Sequence, residues 1–175
     1  MRIVKGKLAG RHLTPPADQR VRPTAEATRD GLLTLLGDDV RGARVLDLCA
    51  GTGALGLEAI SRGAARADFV EFRPASLHAL KANIAALRLR DVTRVFAKDA
   101  VPFVEALTAD RYDLAFADPP YGSKILDRIV AAWQASRFAR LLAVEHAPDH
   151  SLPRPALRKV WGDTAISIYR STVAT

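Results

Sequence analysis

A run of small residues, Asp47-Leu-Cys-Ala-Gly51-Thr-Gly53-Ala-Leu-Gly56, follows a short apolar segment and precedes a helical pattern. Glu71 lies twenty residues after Gly51. In a strand–loop–helix setting this is the fingerprint of a dinucleotide-type site. Gly51 and Gly53 let the backbone turn tightly and approach a ligand closely. The helix N-terminus offers free N–H groups to an anionic group. Glu71, at the end of a second strand, can accept hydrogen bonds from ribose hydroxyls. A tight turn with no ligand is the plain alternative, and the spacing of the acid argues against it. The pattern marks an adenosine-type cofactor without saying which.

A second run separates the cofactor classes. Tyr112-Asp-Leu-Ala-Phe-Ala-Asp118-Pro119-Pro120-Tyr121 reads as a strand that two prolines end abruptly. Ligands of parallel sheets bind outside the carboxyl ends of the strands, so Asp118 falls near whatever binds the glycine loop. A carboxylate and a Pro carbonyl are both acceptors. An exocyclic amine on a nucleobase needs such acceptors for its two N–H groups, and Tyr121 can stack on the base. The bland alternative is a rigid, capped strand end with Tyr121 as packing.

These residues need a scaffold. Arg2 to Leu13 carries short, partly alternating apolar residues around Gly6 and Gly10, which predicts a basic β-hairpin. Residues 14–22 contain Pro15-Pro16 and read as an extended connector. Pro23-Thr24 opens a helix to about Leu36, with Gly37 as its stop. From Arg41 onward, apolar runs alternate with helical patterns. Strands are expected at 44–48, 67–72, 92–97, 112–117 and 141–146. Helices are expected at 54–62, from Pro74 through Leu77, Leu80, Ile84 and Leu87, at 101–107 and at 125–137. Residues 159–161 and 165–170 flank Gly162-Asp163 as a terminal antiparallel hairpin. The fold class predicted is α/β, a doubly wound and mostly parallel sheet. Residues 1–20 form a basic hairpin arm and connector, and 21–175 the main domain.

Composition sets the outer bounds. The chain has 175 residues, 49% hydrophobic and 26% charged, which suits one globular domain. Its single cysteine, Cys49, excludes an internal disulfide and a multi-Cys zinc site. No apolar stretch approaches the length of a membrane span, and the start has no secretory pattern. A cytoplasmic protein is expected. The net charge is +7, and residues 1–29 hold seven Lys/Arg against two acids. A basic segment on a near-neutral body suggests an arm for a polyanion, against the alternative of a solvated terminus. His12, His78, His146 and His150 show no ligand spacing, and no metal is expected. Cys49 reads as a small core residue rather than a nucleophile. Trp133 and Trp161 read as packing, Trp161 less clearly.

With both motifs in place, the chain resembles the class I S-adenosylmethionine-dependent methyltransferases that modify amino groups of bases. Over nearly its full length it is similar to one branch, the bacterial 16S rRNA (guanine-N2) methyltransferases. The matching pieces, in order, are Arg2–Leu13, Arg22-Pro-Thr24 with Arg29, Val45–Ala59, Ser61–Ala64, Asp118–Tyr121, and Gly162-Asp-Thr164 to Tyr169. The sequence departs where that branch usually has an aromatic at Cys49 and a Phe-Asn pair at Leu33-Thr34.

The resemblance implies a Rossmann-like class I methyltransferase fold with S-adenosylmethionine as cofactor. Asp47, Gly51 and Gly53, with Ala50 and Thr52 in the same loop, would hold its methionine part. Glu71 would bind the ribose and Phe72 line the adenine, while Asp99, beside Ala100, would accept from the adenine amine. Asp118 would sit between donor and acceptor, and Asp118, Pro119, Pro120 and Tyr121 would form the catalytic loop. Arg2, Lys5, Lys7, Arg11, Arg22 and Arg29 would contact 16S rRNA or a small-subunit particle. A monomer is the simplest expectation. Three alternatives remain. A DNA adenine-N6 methyltransferase shares Asp-Pro-Pro-Tyr, though such enzymes need further sequence to read a duplex. A nicotinamide-dependent oxidoreductase shares the glycine loop but leaves Asp118–Tyr121 without a role. A non-enzymatic RNA-binding module would keep the cofactor pocket as a relic.

Overall fold

The computed structural model describes residues 1–16 and 26–171. The helices are α1 (Glu26–Leu36), α2 (Ala54–Ser61), α3 (Pro74–Ala86), α4 (Ala100–Glu105) and α5 (Ile125–Ser136). The strands are β1 (Arg44–Leu48), β2 (Arg66–Val70), β3 (Thr93–Phe96), β4 (Tyr112–Ala117), β5 (Ala139–His146), β6 (Leu157–Trp161) and β7 (Thr164–Arg170). Pro74 sits in the first turn of α3, where its missing N–H is no loss. From Arg41 onward the expected elements are all present, with boundaries shifted by a few residues. The expected start of the first helix at Pro23 lies outside the described residues, as does much of the connector.

One seven-stranded sheet runs in the order β3-β2-β1-β4-β5-β7-β6. The first five strands are parallel, and β7 pairs antiparallel with both β5 and β6. Because strand side chains alternate, the central strands feed two cores. Val45, Phe116, Leu141 and Ala143 join Leu57, Ile60, Leu80 and Ile84 from α2 and α3. Leu46, Leu48, Ala115, Leu142 and Val144 face Val101, Val104, Ile129 and Trp133 from α4 and α5. Burial on both faces explains why these strands read as continuous apolar runs.

The basic N-terminal segment is a short hairpin: Arg2 bridges His12 in antiparallel sense, with Ile3 N–H donating to the Arg11 carbonyl at 2.9 Å and Leu13 N–H to the Met1 carbonyl at 3.0 Å. It does not stand alone as an arm. The N–H groups of Val4 and Lys5 go to the Glu58 carboxylate of α2, both at 3.1 Å. Lys7 N–H donates to the Ser61 carbonyl at 2.8 Å, and Ser61 Oγ donates to the Lys5 carbonyl at 2.6 Å. Gly6 lets the chain come this close, since a Cβ there would lie 2.0 Å from the Ser61 carbonyl oxygen. Ile3 and Leu13 are buried in the same core as α1, α2 and α3. The segment is built into the body.

Arg29 is a correction. Its side chain has no exposed surface and pairs with Glu58 at 2.8 Å, while a second nitrogen donates to the Arg2 carbonyl. It cannot reach a phosphate, because it is the charge that neutralises a buried acid. Burial pushes the Glu58 pKa up, but hydrogen bonds from Arg62 and Arg29 outweigh it and leave the carboxyl below its ordinary range. Glu58→Gln should remove the buried counter-charge of Arg29 and cost about 3–5 kcal/mol. Urea unfolding of the variant beside the parent measures this, and a loss under about 1 kcal/mol would mean the pair is dispensable.

Candidate functional site

Strand register assembles the site. Leu48 of β1 pairs with Val70 of β2 and with Ala117 of β4. Three chain segments therefore leave the sheet side by side, carrying Cys49–Gly53, Glu71–Phe72 and Asp118–Tyr121. Phe96 of β3 pairs with Val70, so Asp99 follows at the same edge.

The glycine loop closes on itself through Gly53 N–H to the Ala50 carbonyl at 2.8 Å. Gly53 has φ 79°, and a Cβ there would lie 2.4 Å from Leu80 Cδ1, so both backbone and packing demand glycine. A Cβ on Gly51 would meet nothing within 4 Å, which leaves the outer face of the loop open. Thr52 is buried, and its carbonyl accepts from Asn83 Nδ2 at 3.0 Å. The Glu71 carboxylate is held by backbone donors: Gly51 to Oε2, and Phe72 and Arg73 to Oε1, each at 2.9 Å. Asp47 Oδ2 accepts Gly56 N–H at 2.9 Å, fixing the start of α2 against β1. Phe72 projects with 59% exposure, unusual for so apolar a side chain. Asp99 is exposed and caps α4 by accepting Val101 N–H at 2.9 Å, with Ala100 buried behind it.

The site is anionic. Burial first, then the charges of Asp118 and Glu71, push the Asp47 pKa up to about 8, against a partial opposing pull from Gly56 N–H. Burial, then Glu71, Asp118 and Asp47, push the Cys49 thiol up to about 12, so it stays protonated and is no nucleophile. Acids from three strands thus act on one another. Such a cluster of acids suits a ligand that donates hydrogen bonds and carries positive charge. It opposes a pyrophosphate, which counts against the nicotinamide dinucleotide reading.

The fourth-strand loop lies next to it. Asp118 is half-buried and Pro119 buried, while Pro120 is exposed and its carbonyl accepts from Ser123 Oγ at 2.8 Å. Tyr121 is 43% exposed, yet its hydroxyl is anchored. It lies 2.8 Å from Thr164 Oγ1 and 3.4 Å from Glu145 Oε1. A groove beside the loop is lined by Pro119, Pro120, Tyr121, Leu126, Glu145 and His146. His146 bonds the Ser167 hydroxyl and the Ala147 carbonyl, and burial lowers its pKa, so it is a neutral structural residue.

Arg2, Lys5, Lys7 and Arg11 are exposed. Arg2 pairs with Glu26 at 3.5 Å and Lys5 with Asp30 at 2.9 Å, so part of the basic excess is matched within the fold. Arg22 lies outside the described residues. Sequence reading misses Glu145 and the role of Thr164, which converge on Tyr121 from β5 and β7. The one signal is an acid breaking the apolar run of the fifth strand. Among the described residues no cluster of His, Cys, Asp or Glu could hold a metal ion, and no helix is long and apolar enough to cross a membrane.

The model of the family described as Conserved hypothetical protein 95 matches residues 1–162. The chain belongs to this family. Ribosomal RNA small subunit methyltransferase D of Escherichia coli K12 is 33% identical, covering 97% of this chain and 89% of the relative. The candidate methyltransferase yhhF of Escherichia coli superposes with a TM-score of 0.84 at 33% identity, over 97% of both chains. The Thermus thermophilus 16S rRNA N2 G1207 methyltransferase, solved with AdoMet and guanosine, shares the fold. Its TM-score is 0.70 at 20% identity, over 89% of this chain and 45% of that one. The family member in hand thus has the Rossmann-like class I methyltransferase fold.

Asp47 gives this site a pH signature. Between 3.8 and about 8 the folded protein retains a proton that the unfolded chain has released. Stability therefore falls as pH rises through that window, by up to about 1.4 kcal/mol per pH unit from this group. Asp47→Asn keeps an acceptor for Gly56 and should lose that component of the slope. Urea unfolding at pH 6 and pH 8 reads it directly. The same slope in both proteins would show that Asp47 ionises as an ordinary carboxylate.

Proposed function

We propose that this protein transfers the methyl group of S-adenosylmethionine to the exocyclic N2 amine of a guanine in small-subunit rRNA. The observation that carries the reading is the junction of two acceptor sets at one sheet edge. Asp47 and Glu71 flank the open glycine loop, and Asp118-Pro119 leaves the adjacent strand. The family relationship to rRNA small-subunit methyltransferases supports the same activity.

The residues fit the cofactor chemically. Glu71 accepts from ribose hydroxyls, Asp99 from the adenine amine, and exposed Phe72 packs on the adenine face. The Asp47–Gly53 loop takes the methionine portion, whose ammonium and sulfonium charges match the local acids. Bound there, S-adenosylmethionine supplies a methyl group already activated by positive sulfur, so alignment is the protein's main task.

Guanine N2 is a weak nucleophile because its lone pair is delocalised into the ring. Asp118 and the Pro119 carbonyl accept its two N–H groups, turn the lone pair toward the methyl carbon and stabilise the positive charge that develops as N–CH3 forms and S–CH3 breaks. N2 gives up one proton to the Asp118 carboxylate it hydrogen-bonds, and S-adenosylhomocysteine leaves. Tyr121 stacks on the base, which must leave its helical stack to enter. Exposed Lys7 and Arg11, with Arg2 and Lys5 beside them, grip phosphates around it.

Asp118→Ala should lower methyl transfer roughly 10²–10³-fold while calorimetry still detects S-adenosylmethionine binding. Transfer at the parental rate would remove Asp118 from the reaction. Mass spectrometry of rRNA nucleosides from cells with and without the protein should show N2-methylguanine lost from small-subunit rRNA. Methyl groups recovered only as N6-methyladenine in duplex DNA would favour the DNA enzyme instead. The basic segment has its own readout. The double variant Lys7→Ala, Arg11→Ala should flatten the salt dependence of RNA binding by up to ~0.7–0.9 log units for each phosphate partner removed. An unchanged slope would return Lys7 to a solvated surface and Arg11 to its hydrogen bond with the Ala86 carbonyl.

A further inference from the structure

The groove beside the catalytic loop contains an acid that the reaction above does not use. Glu145 stands on β5, next to Val144, which pairs with Ala117 of β4. One step further along both strands, Asp118 and Glu145 follow at the same level. Glu145 is half-buried and lines the groove with Pro119, Pro120 and Tyr121. Its Oε1 lies 3.4 Å from the Tyr121 hydroxyl and 3.4 Å from Thr164 Oγ1. The ring that would stack on a base and this carboxylate therefore form adjoining walls of one groove.

The chemistry of such a wall is selective. The pairing edge of guanine carries two neighbouring donors, N1–H and the N2 amine. Adenine and cytosine present a ring-nitrogen lone pair at the corresponding edge, which a carboxylate repels. A site built to hydrogen-bond a donor rejects an analogue that lacks it, because a buried acceptor is then left unpaired. Asp118 and Pro119 are occupied with the amine. A second acceptor is needed to distinguish guanine from another purine that carries a 2-amino group.

We propose that Glu145 is the specificity residue of this site, accepting guanine N1–H while Tyr121 stacks on the ring. The inference rests on the guanine-N2 reading above and adds the base-selecting contact to it. Tyr121 and Thr164 hold the carboxylate at the groove wall. Glu145 takes no part in the methyl transfer itself.

The probe is a small-subunit rRNA fragment carrying either guanine or 2,6-diaminopurine at the methylated position mapped by mass spectrometry. Diaminopurine keeps the reacting 2-amine but has a lone pair in place of N1–H. The parent protein should strongly prefer guanine. Glu145→Gln can donate to that lone pair through its amide, so the ratio of kcat/KM for guanine over diaminopurine should fall roughly ten- to hundred-fold. Binding of S-adenosylmethionine, followed by calorimetry, should stay unchanged and reports that the variant is folded. Glu145→Ala should also lower the ratio, without the gain on diaminopurine. If activity falls in equal proportion on the two bases, or on neither, Glu145 only props Tyr121 and the proposal is wrong. If the parent deposits no methyl group on guanine N2, the underlying reading fails first, and the specificity assignment falls with it.

Discussion

A carboxylate with no exposed surface is unfavourable unless its oxygens are fully engaged, and Glu58 meets that condition by drawing three parts of the chain together. It accepts from Val4 and Lys5 in the N-terminal segment, from Arg29 on α1 and from Arg62 just past its own helix. Gly53 caps the start of α2, so the same helix that anchors the basic segment also ends the glycine loop. Asn83 reinforces the link from α3, donating to the carbonyls of both Thr14 and Thr52. The residues expected to meet RNA and those expected to meet the cofactor are thus mounted on one rigid unit. Positioning two large partners within bonding distance requires such a unit, since small displacements are costly in rate.

The sheet supplies the second half of that positioning. Parallel strands with helices on both faces leave their carboxyl ends as the place where short loops can converge. The antiparallel β7 then extends the sheet beyond β5 and delivers Thr164 to the hydroxyl of Tyr121. The terminal hairpin is therefore more than an edge cover. It fixes the orientation of an aromatic ring that is 43% exposed and that packing alone would hold loosely.

Much of this is legible in the chain. Runs such as Val45–Leu48 and Leu114–Ala117 announce buried strands, and the glycine and proline motifs fall at their ends because those turns have few chemical solutions. Charge counting misreads Arg29 because it treats every cation as solvated. The burial of Arg29 depends on Glu58, twenty-nine residues away, which looks like an ordinary helical acid in sequence. The N-terminal hairpin is legible, but its docking on α2 is not, because nothing in the sequence marks that the N–H groups of Val4 and Lys5 go to the side chain of Glu58. Glu145 and Thr164 stay hidden for a similar reason. Their relation to Tyr121 spans 24 and 43 residues, and only strand pairing brings them together.

The acids at the strand ends run against the stability of the isolated fold. Asp47 is held protonated by burial and by its neighbours, so folding there works against ionisation. A fold selected for stability alone would place an apolar residue at that position, as β1 does at Leu46 and Leu48. Glu71 is different, because four N–H groups fix its carboxylate in advance. Three of those fall on Oε1 and one on Oε2. Each carboxylate oxygen has about two acceptor directions, so the remaining one lies at Oε2, the oxygen that accepts from the glycine loop. An acceptor fixed in that position suits a ligand rich in donors, and the buried, mutually close acids that weaken the isolated fold are the same groups that would meet it.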